Sequence, residues 1–288
     1  MTEKERRSLI VFPLIVLVGI GVAWAGSQNG AKVGNIPVFA LCVALAFLIN
    51  WLVFIPAYLQ QTEKYFDLTG SLTYITVTII AAFLSPELDG RSFLLVGVVM
   101  LWAARLGTFL FTRIQKEGKD GRFDDLKPSF VRFLNVWTIQ GLWVTFTAAA
   151  ALVAITTTTR QEIGLIGLLG GVIWLFGFAI EAIADNQKTR FRANPANKGK
   201  FIQSGLWAKS RHPNYFGEIM LWIGVAIIAA PVLQGWQWIA LISPLFVTLL
   251  LTRVSGVPLL EQRADEKWGG QPDYEAYKKN TPVLIPRP

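Results

Sequence analysis

Ile163-Gly164-Leu165-Ile166-Gly167-Leu168-Leu169-Gly170-Gly171-Val172-Ile173-Trp174-Leu175-Phe176-Gly177-Phe178-Ala179-Ile180-Glu181-Ala182-Ile183-Ala184 is apolar from its first residue until Glu181. Its length falls within the roughly 17–25 residues that a bilayer-spanning helix needs. Lipid offers no hydrogen-bond partners, so a helix that satisfies its own backbone is the stable form for such a run. Outward from it, seven more runs of this kind are found. They are Leu9–Ala25, Ile36–Leu59, Leu68–Leu84, Phe93–Thr112, Leu134–Ile155, Phe216–Ala230 and Trp236–Leu251. The last two are short and divided only by Pro231–Gly235, so they are either a tight hairpin or a re-entrant pair. Lys4, Glu5, Arg6 and Arg7 before Leu9 have the form of a signal peptide. The apolar run, however, reaches Ala25, and no small-x-small cleavage site leads from it into a soluble mature domain, so it is read as a retained first helix.

Composition agrees. The chain has 288 residues, 53% hydrophobic and 16% charged, with a mean hydropathy of +0.45; soluble chains carry about 25% charged residues. Eleven Trp and 19 Phe suit a lipid-facing surface with interfacial aromatics. The single cysteine, Cys42, excludes an internal disulfide framework and any multi-cysteine metal site. A formal charge of +8 fits basic loops held on the cytoplasmic side better than it fits a nucleic-acid partner. With the N-terminus inside and all the runs spanning, only Lys32, Arg91 and Arg160 fall outside, and Arg105 falls within a span. The expectation is an all-α, polytopic integral membrane helical bundle of about eight transmembrane helices with both termini cytoplasmic. It forms a single membrane domain over 1–288, with N-terminal helices at 9–59.

Ionisable residues at membrane depth mark function by default. Arg105 either snorkels to the headgroups or lines a cavity. Glu181, Asp185, Lys188 and Arg192 fall at i, i+4, i+7 and i+11 on one helical face. With Asp67 and Glu218, these groups all converge on the cytoplasmic leaflet. The following loop, with Lys188, Arg190, Arg192, Lys198, Lys200, Lys209 and Arg211, offers charge and bidentate donors to an anion such as a phosphate, or to anionic lipid. The mixed-sign segment Gly118–Asp125 reads as an ordered turn. No Gly-rich dinucleotide or phosphate loop is present, so a nucleotide would have to bind among the helices.

Gly205-Leu206-Trp207, followed by Ser210-Arg211-His212-Pro213-Asn214-Tyr215-Phe216-Gly217-Glu218, resembles the C-terminal signature of the steroid 5-alpha-reductase family and its bacterial homologues. Glu181-x-x-x-Asp185 through Phe191-Arg192, Val254–Glu261, and Tyr274-x-x-Tyr277 through Pro286 agree with it in order and spacing. The likeness covers a reductase-like region at 67–288, with its cofactor part at 181–288, and leaves the first helix as an addition to a seven-helix core. The resemblance implies a reductase in the bacterial inner membrane that transfers hydride from NADPH to a C=C bond conjugated to a carbonyl in a steroid-like or other lipid. By matched position, Asp185, Arg192, Asn214, Tyr215 and Glu218 would hold the cofactor, with Arg105, Glu181, Arg211, His212 and Tyr277 around it. Asp67, with Tyr65 or Tyr74, would polarise the carbonyl, a task worth several kcal/mol in a water-poor site. The eukaryotic reductases carry Asn at the position of Glu181. For His212, three roles stay open: general acid, phosphate donor and structural hydrogen-bonder. Metal binding is not expected without a second histidine.

Two other classes compete. Membrane methyltransferases that use S-adenosylmethionine, of isoprenylcysteine or phospholipid type, share the Arg-His-Pro-x-Tyr-x-Gly core. Ser210, Asn214 and the Glu181/Asp185 stripe favour the reductase. The other is non-enzymatic, a transporter or a lipid-binding membrane protein; it would place ionisable residues in both leaflets and show internal symmetry, and neither is found here.

Overall fold

The computed structural model describes residues 2–287. Among them eight helices are long and apolar enough to cross a membrane. The only strands among the described residues are the two-residue pair β1 (Lys32–Val33) and β2 (Ile36–Pro37), which turn at Gly34 with φ +60°. The chain divides into two compact units. One comprises residues 1–167 and 228–243; the other comprises 168–227 and 244–288.

The first unit holds α1 (Glu3–Gly26), α2 (Val38–Leu59), α3 (Phe66–Leu84), α4 (Gly90–Glu117) and α5 (Phe130–Thr156). A capping box starts α1: Thr2 accepts from the amide of Glu5, whose carboxylate accepts from the amide of Thr2. Helix α5 is its axis, packing against α1, α2, α3 and α4. The run Ala148-Ala149-Ala150-Ala151 is buried on every side, because small residues let helix backbones approach closely where lipid supplies no hydrophobic drive. At Gly141 a Cβ would come within 3.1 Å of the Phe47 backbone, so α2 and α5 touch there.

Loops on the two ends of this unit pair as alternate crossings require. At one end Ser129 donates to Glu5 at 2.9 Å. Beside it the buried Glu63 carboxylate accepts from the Asp120 amide at 2.7 Å and from Lys127 Nζ at 2.6 Å. Asp120 caps the short turn Gly121–Phe123, whose Phe123 packs with Phe54, Phe133 and Trp137, so Gly118–Asp125 is ordered as expected. At the other end the Ala31 amide donates to Thr156 O at 2.7 Å, and Thr157 exchanges hydrogen bonds with Gln237. Buried Arg91 donates to the carbonyls of Ile228, Glu162 and Ile163, and Arg160 to Ser92 Oγ and the carbonyls of Ala154 and Ile155.

The second unit takes all but the first turn of α6 (Gly164–Ala193), most of α7 (Pro213–Ala229), α9 (Val257–Trp268) and α10 (Pro272–Asn280). Residues Leu165, Leu168, Leu169, Val172 and Phe176 of α6 are exposed along one stripe, as a lipid-facing surface requires. The opposite stripe runs Gly170, Trp174, Gly177, Glu181 and Asp185. A Cβ on Gly224 would stand 2.7 Å from Gly170 O, and one on Gly217 2.6 Å from both Gly177 O and Glu181 N. Helices α6 and α7 therefore lie antiparallel along a glycine seam.

The eighth crossing departs from a plain helix. It runs as a tight 3-10 segment (Gly235–Leu241), then α8 (Ile242–Leu249), then a π turn (Leu250–Val254). The change into α8 falls just before Pro244, which has no amide hydrogen and is tolerated only in a first turn.

Candidate active site

The glycine seam determines what lies at the end of α6. With the backbones in contact at Gly177 and Gly217, the next polar residues along each helix meet. Asn214 Nδ2 donates to Asp185 Oδ1 at 3.2 Å. One turn of the chain before α7 fastens to the same end of α6 at two points: Trp207 Nε1 donates to Ala184 O at 3.0 Å, and the Leu206 amide donates to Gln187 Oε1 at 3.0 Å. Gly205 (φ +62°) makes this turn possible, since a Cβ there would collide with the Gln187 amide. Glu181 and Asp185 are 2% and 6% exposed, so the carboxylate stripe is interior. Lys188 Nζ lies 4.3 Å from the Trp207 ring centroid, and Arg192 is exposed beyond it.

His212 is buried at the N-terminus of α7. Its Nε2 is 2.7 Å from Glu261 Oε1, and its ring stacks on Tyr215 with centroids 5.6 Å apart and planes 8° apart. Arg211 Nη1 holds the other Glu261 oxygen at 2.6 Å. Burial lowers the imidazole below the ordinary histidine range, against the Glu261 carboxylate, which raises it. The neutral ring donates Nε2–H to that carboxylate, which leaves Nδ1 as a buried acceptor with no partner among the described residues.

The tail closes over this segment. Ser210 Oγ donates to Leu284 O at 2.8 Å, the Arg211 amide to Pro282 O at 2.9 Å, and the Tyr277 hydroxyl to Trp207 O at 2.7 Å. Burial pushes the Tyr277 phenol up to about 12. Glu218 stands one turn beyond Asn214 on α7, half-buried. In the second unit, then, Asp185, Arg211, His212, Asn214, Tyr215 and Tyr277 come together through these contacts. Glu181 lies against Gly217 on the seam, and Arg192 extends the α6 stripe.

Asp67, Tyr65, Tyr74 and Arg105 belong to the first unit. Asp67, Ser71 and Tyr74 share one face of α3 at i, i+4 and i+7, and that face lies on α4. Arg113 Nη2 is 3.7 Å from Asp67 Oδ2, a Cβ on Gly107 would strike Ser71, and the Tyr74 ring meets Trp102 edge-on at 5.1 Å. Tyr74 is buried, whereas Tyr65 is 48% exposed at the start of α3. Arg105 is half-buried on α4.

Glu261 was not among the site residues expected from sequence, although it ends the Val254–Glu261 segment quoted for the resemblance. Gln187 was missed as well. It lies on α6 between Asp185 and Lys188 and gave no sign, from sequence, of holding a distant backbone amide.

The family model described as "Protein of unknown function (DUF1295)" matches residues 53–281. A Delta(14)-sterol reductase of Methylotuvimicrobium alcaliphilum is 24% identical over 220 residues, 71% of this chain and 45% of that protein. The 3-oxo-5-alpha-steroid 4-dehydrogenase 1 of Bos taurus is 28% identical over 119 residues, 41% of each chain. A shorter stretch of 66 residues, 23% of each chain, is 32% identical to "Probable O-methyltransferase ustE" of Ustilaginoidea virens. The chain thus spans less than half the length of these relatives. No solved structure gives a significant match.

Proposed function

We propose that this chain, which belongs to the steroid 5-alpha-reductase-like family described as "Protein of unknown function (DUF1295)", is an NADPH-dependent membrane reductase acting on an enone of a steroid-like or other lipid. The observation that carries the proposal is the Asn214–Asp185 hydrogen bond. It joins the interior carboxylate stripe of α6 to the Arg211–Glu218 signature at one place, with the cations Lys188 and Arg192 next along the same helix.

The donor set fits the cofactor. Arg192 and Lys188 suit phosphates, and the buried, unpartnered Nδ1 of His212 is an acceptor suited to an amide N–H. Asp185 and Asn214 would orient the nicotinamide end, with Tyr215 and Glu218 beside them. When bound, NADPH supplies the hydride that goes to the β-carbon of the enone. The protein's part is to bind, exclude water and stabilise charge on the carbonyl oxygen. Asp67 and Tyr74 on one face of α3 are assigned that last role. Tyr74, being buried, suits a water-poor site better than the exposed Tyr65. The site faces the cytoplasm of a bacterial inner membrane, where a soluble cofactor has access.

The test is titration of the detergent-purified protein with NADPH and with S-adenosylmethionine, followed by calorimetry. Binding of NADPH alone is the expected result. Binding of the methyl donor alone would overturn the reductase in favour of the methyltransferase reading, which the 66-residue alignment supports. Arg192→Ala is expected to weaken NADPH at least tenfold, and NADH less, because charge-assisted bonds to phosphate contribute about 1.5–3 kcal/mol.

A further inference from the structure

A cavity of about 620 Å³ lies between α1 and α2 of the first unit, within the 300–1,000 Å³ range of small-molecule sites. Its lining residues fall between Val16 and Trp51, before the family-matched segment begins at residue 53. Nothing in the proposed reduction uses it. Small residues, Gly19 and Ala23 on α1 with Ala40 and Ala44 on α2, leave the room. From Pro37 to Trp51 the trough follows about 20 Å of helix at 1.5 Å per residue. That is enough for the hydrocarbon chain of one leaflet, which is about 15 Å deep.

The mouth is polar. Ser27 lines it at 8% exposure, and its buried hydroxyl has no partner among the described residues. Lys32 stands beside it on the β1–β2 hairpin. Of the three cations at this end of the unit, Arg91 and Arg160 are engaged on carbonyls, whereas no carboxylate pairs with Lys32 among the described residues. Exposed Trp24 and Trp236, with ring centroids 5.9 Å apart, mark this level as a membrane interface.

We infer that the trough holds one acyl chain of an anionic phospholipid, with its phosphate between the Ser27 hydroxyl and the Lys32 ammonium. An apolar groove of chain length ending in an unsatisfied donor and a lone cation matches an amphiphile with a negative head. A zwitterionic headgroup offers the same phosphate but brings its own ammonium beside Lys32, so a head with net negative charge is the better match.

The test is native mass spectrometry of the full chain released from nanodiscs containing equal phosphatidylglycerol and phosphatidylethanolamine. The native protein is expected to carry one lipid, enriched in phosphatidylglycerol. Lys32→Gln, on an exposed hairpin where folding is not at stake, should lower that enrichment about fivefold, the contribution of one cation near a lipid phosphate. Ala44→Trp, which fills the trough, should lose the adduct of either lipid. Unchanged enrichment in Lys32→Gln, or an undiminished adduct in a folded Ala44→Trp, would overturn the assignment.

Discussion

His212 is the only histidine of the chain, and at 4% exposure it is held between Glu261 and Tyr215. Its environment sets a pH dependence whose sign can be worked out. Burial lowers its pKa against the raising effect of Glu261, while Lys188 and Arg211 lower it further. A group whose folded pKa lies below the unfolded value, about 6.5, contributes stability that is complete above that value. The contribution is lost as pH falls through the folded pKa. Apparent melting temperatures of the detergent-solubilised protein should therefore be level from pH 8 to 7 and decline below 6.5. His212→Gln should flatten that decline, and an unchanged acid limb in the variant would place its origin elsewhere. Three roles were open to this residue from sequence, because a lone histidine before a proline does not disclose its partner. Glu261 stands 49 residues downstream, and only the folded chain brings them together.

At the scale of elements, helix positions were legible and helix surroundings were not. Each run was long and apolar enough to reveal itself, and the main errors were at the ends: α4 continues to Glu117 and α6 to Ala193. Mean hydropathy does not distinguish a helix encased in protein from one facing lipid, so the central place of α5 was invisible despite its alanine run. The glycine seam was present in the sequence, since Gly177 shares the face of Glu181 and Gly217 stands inside the signature. The carboxylates drew the functional reading, but the glycines are what seat them. Gly217→Ala should cost about 1–3 kcal/mol, as overpacking does, because the new Cβ would meet backbone on α6 rather than a yielding side chain. It should weaken cofactor binding as well, by moving Asn214 off Asp185. Gly97→Ala on α4, with nothing within 4 Å of the added carbon, should be neutral or stabilising by up to about 1 kcal/mol. Thermal melting of the two variants side by side checks the pair; equal behaviour would mean that α6 and α7 are not in backbone contact.

For the whole molecule, the question is which way the bundle faces. The first unit already obeys the parity that alternate crossings demand: Glu5, Glu63, Asp120 and Ser129 meet at one end, and Ala31, Arg91, Thr156 and Gln237 lie at the other. The charge asymmetry adds direction, and the structure sharpens it. Two of the few cations on the poor side, Arg91 and Arg160, cap carbonyls and so are structural, which leaves the basic loops on the rich side as the topological signal. Gln161 and Lys198 are both exposed and lie on either side of α6. The only native thiol, Cys42, is buried and gives no background in a Cys42→Ala chain. In bacterial spheroplasts an impermeant maleimide should label Gln161→Cys directly and Lys198→Cys only after the membrane is permeabilised. The reverse pattern would turn the molecule over and put the Asp185–Asn214 site out of reach of a cytoplasmic cofactor. Labelling of both from one side would mean that α6 does not cross. Orientation is thus a condition of the proposed chemistry, because a soluble dinucleotide can serve only a site that opens where the dinucleotide is found.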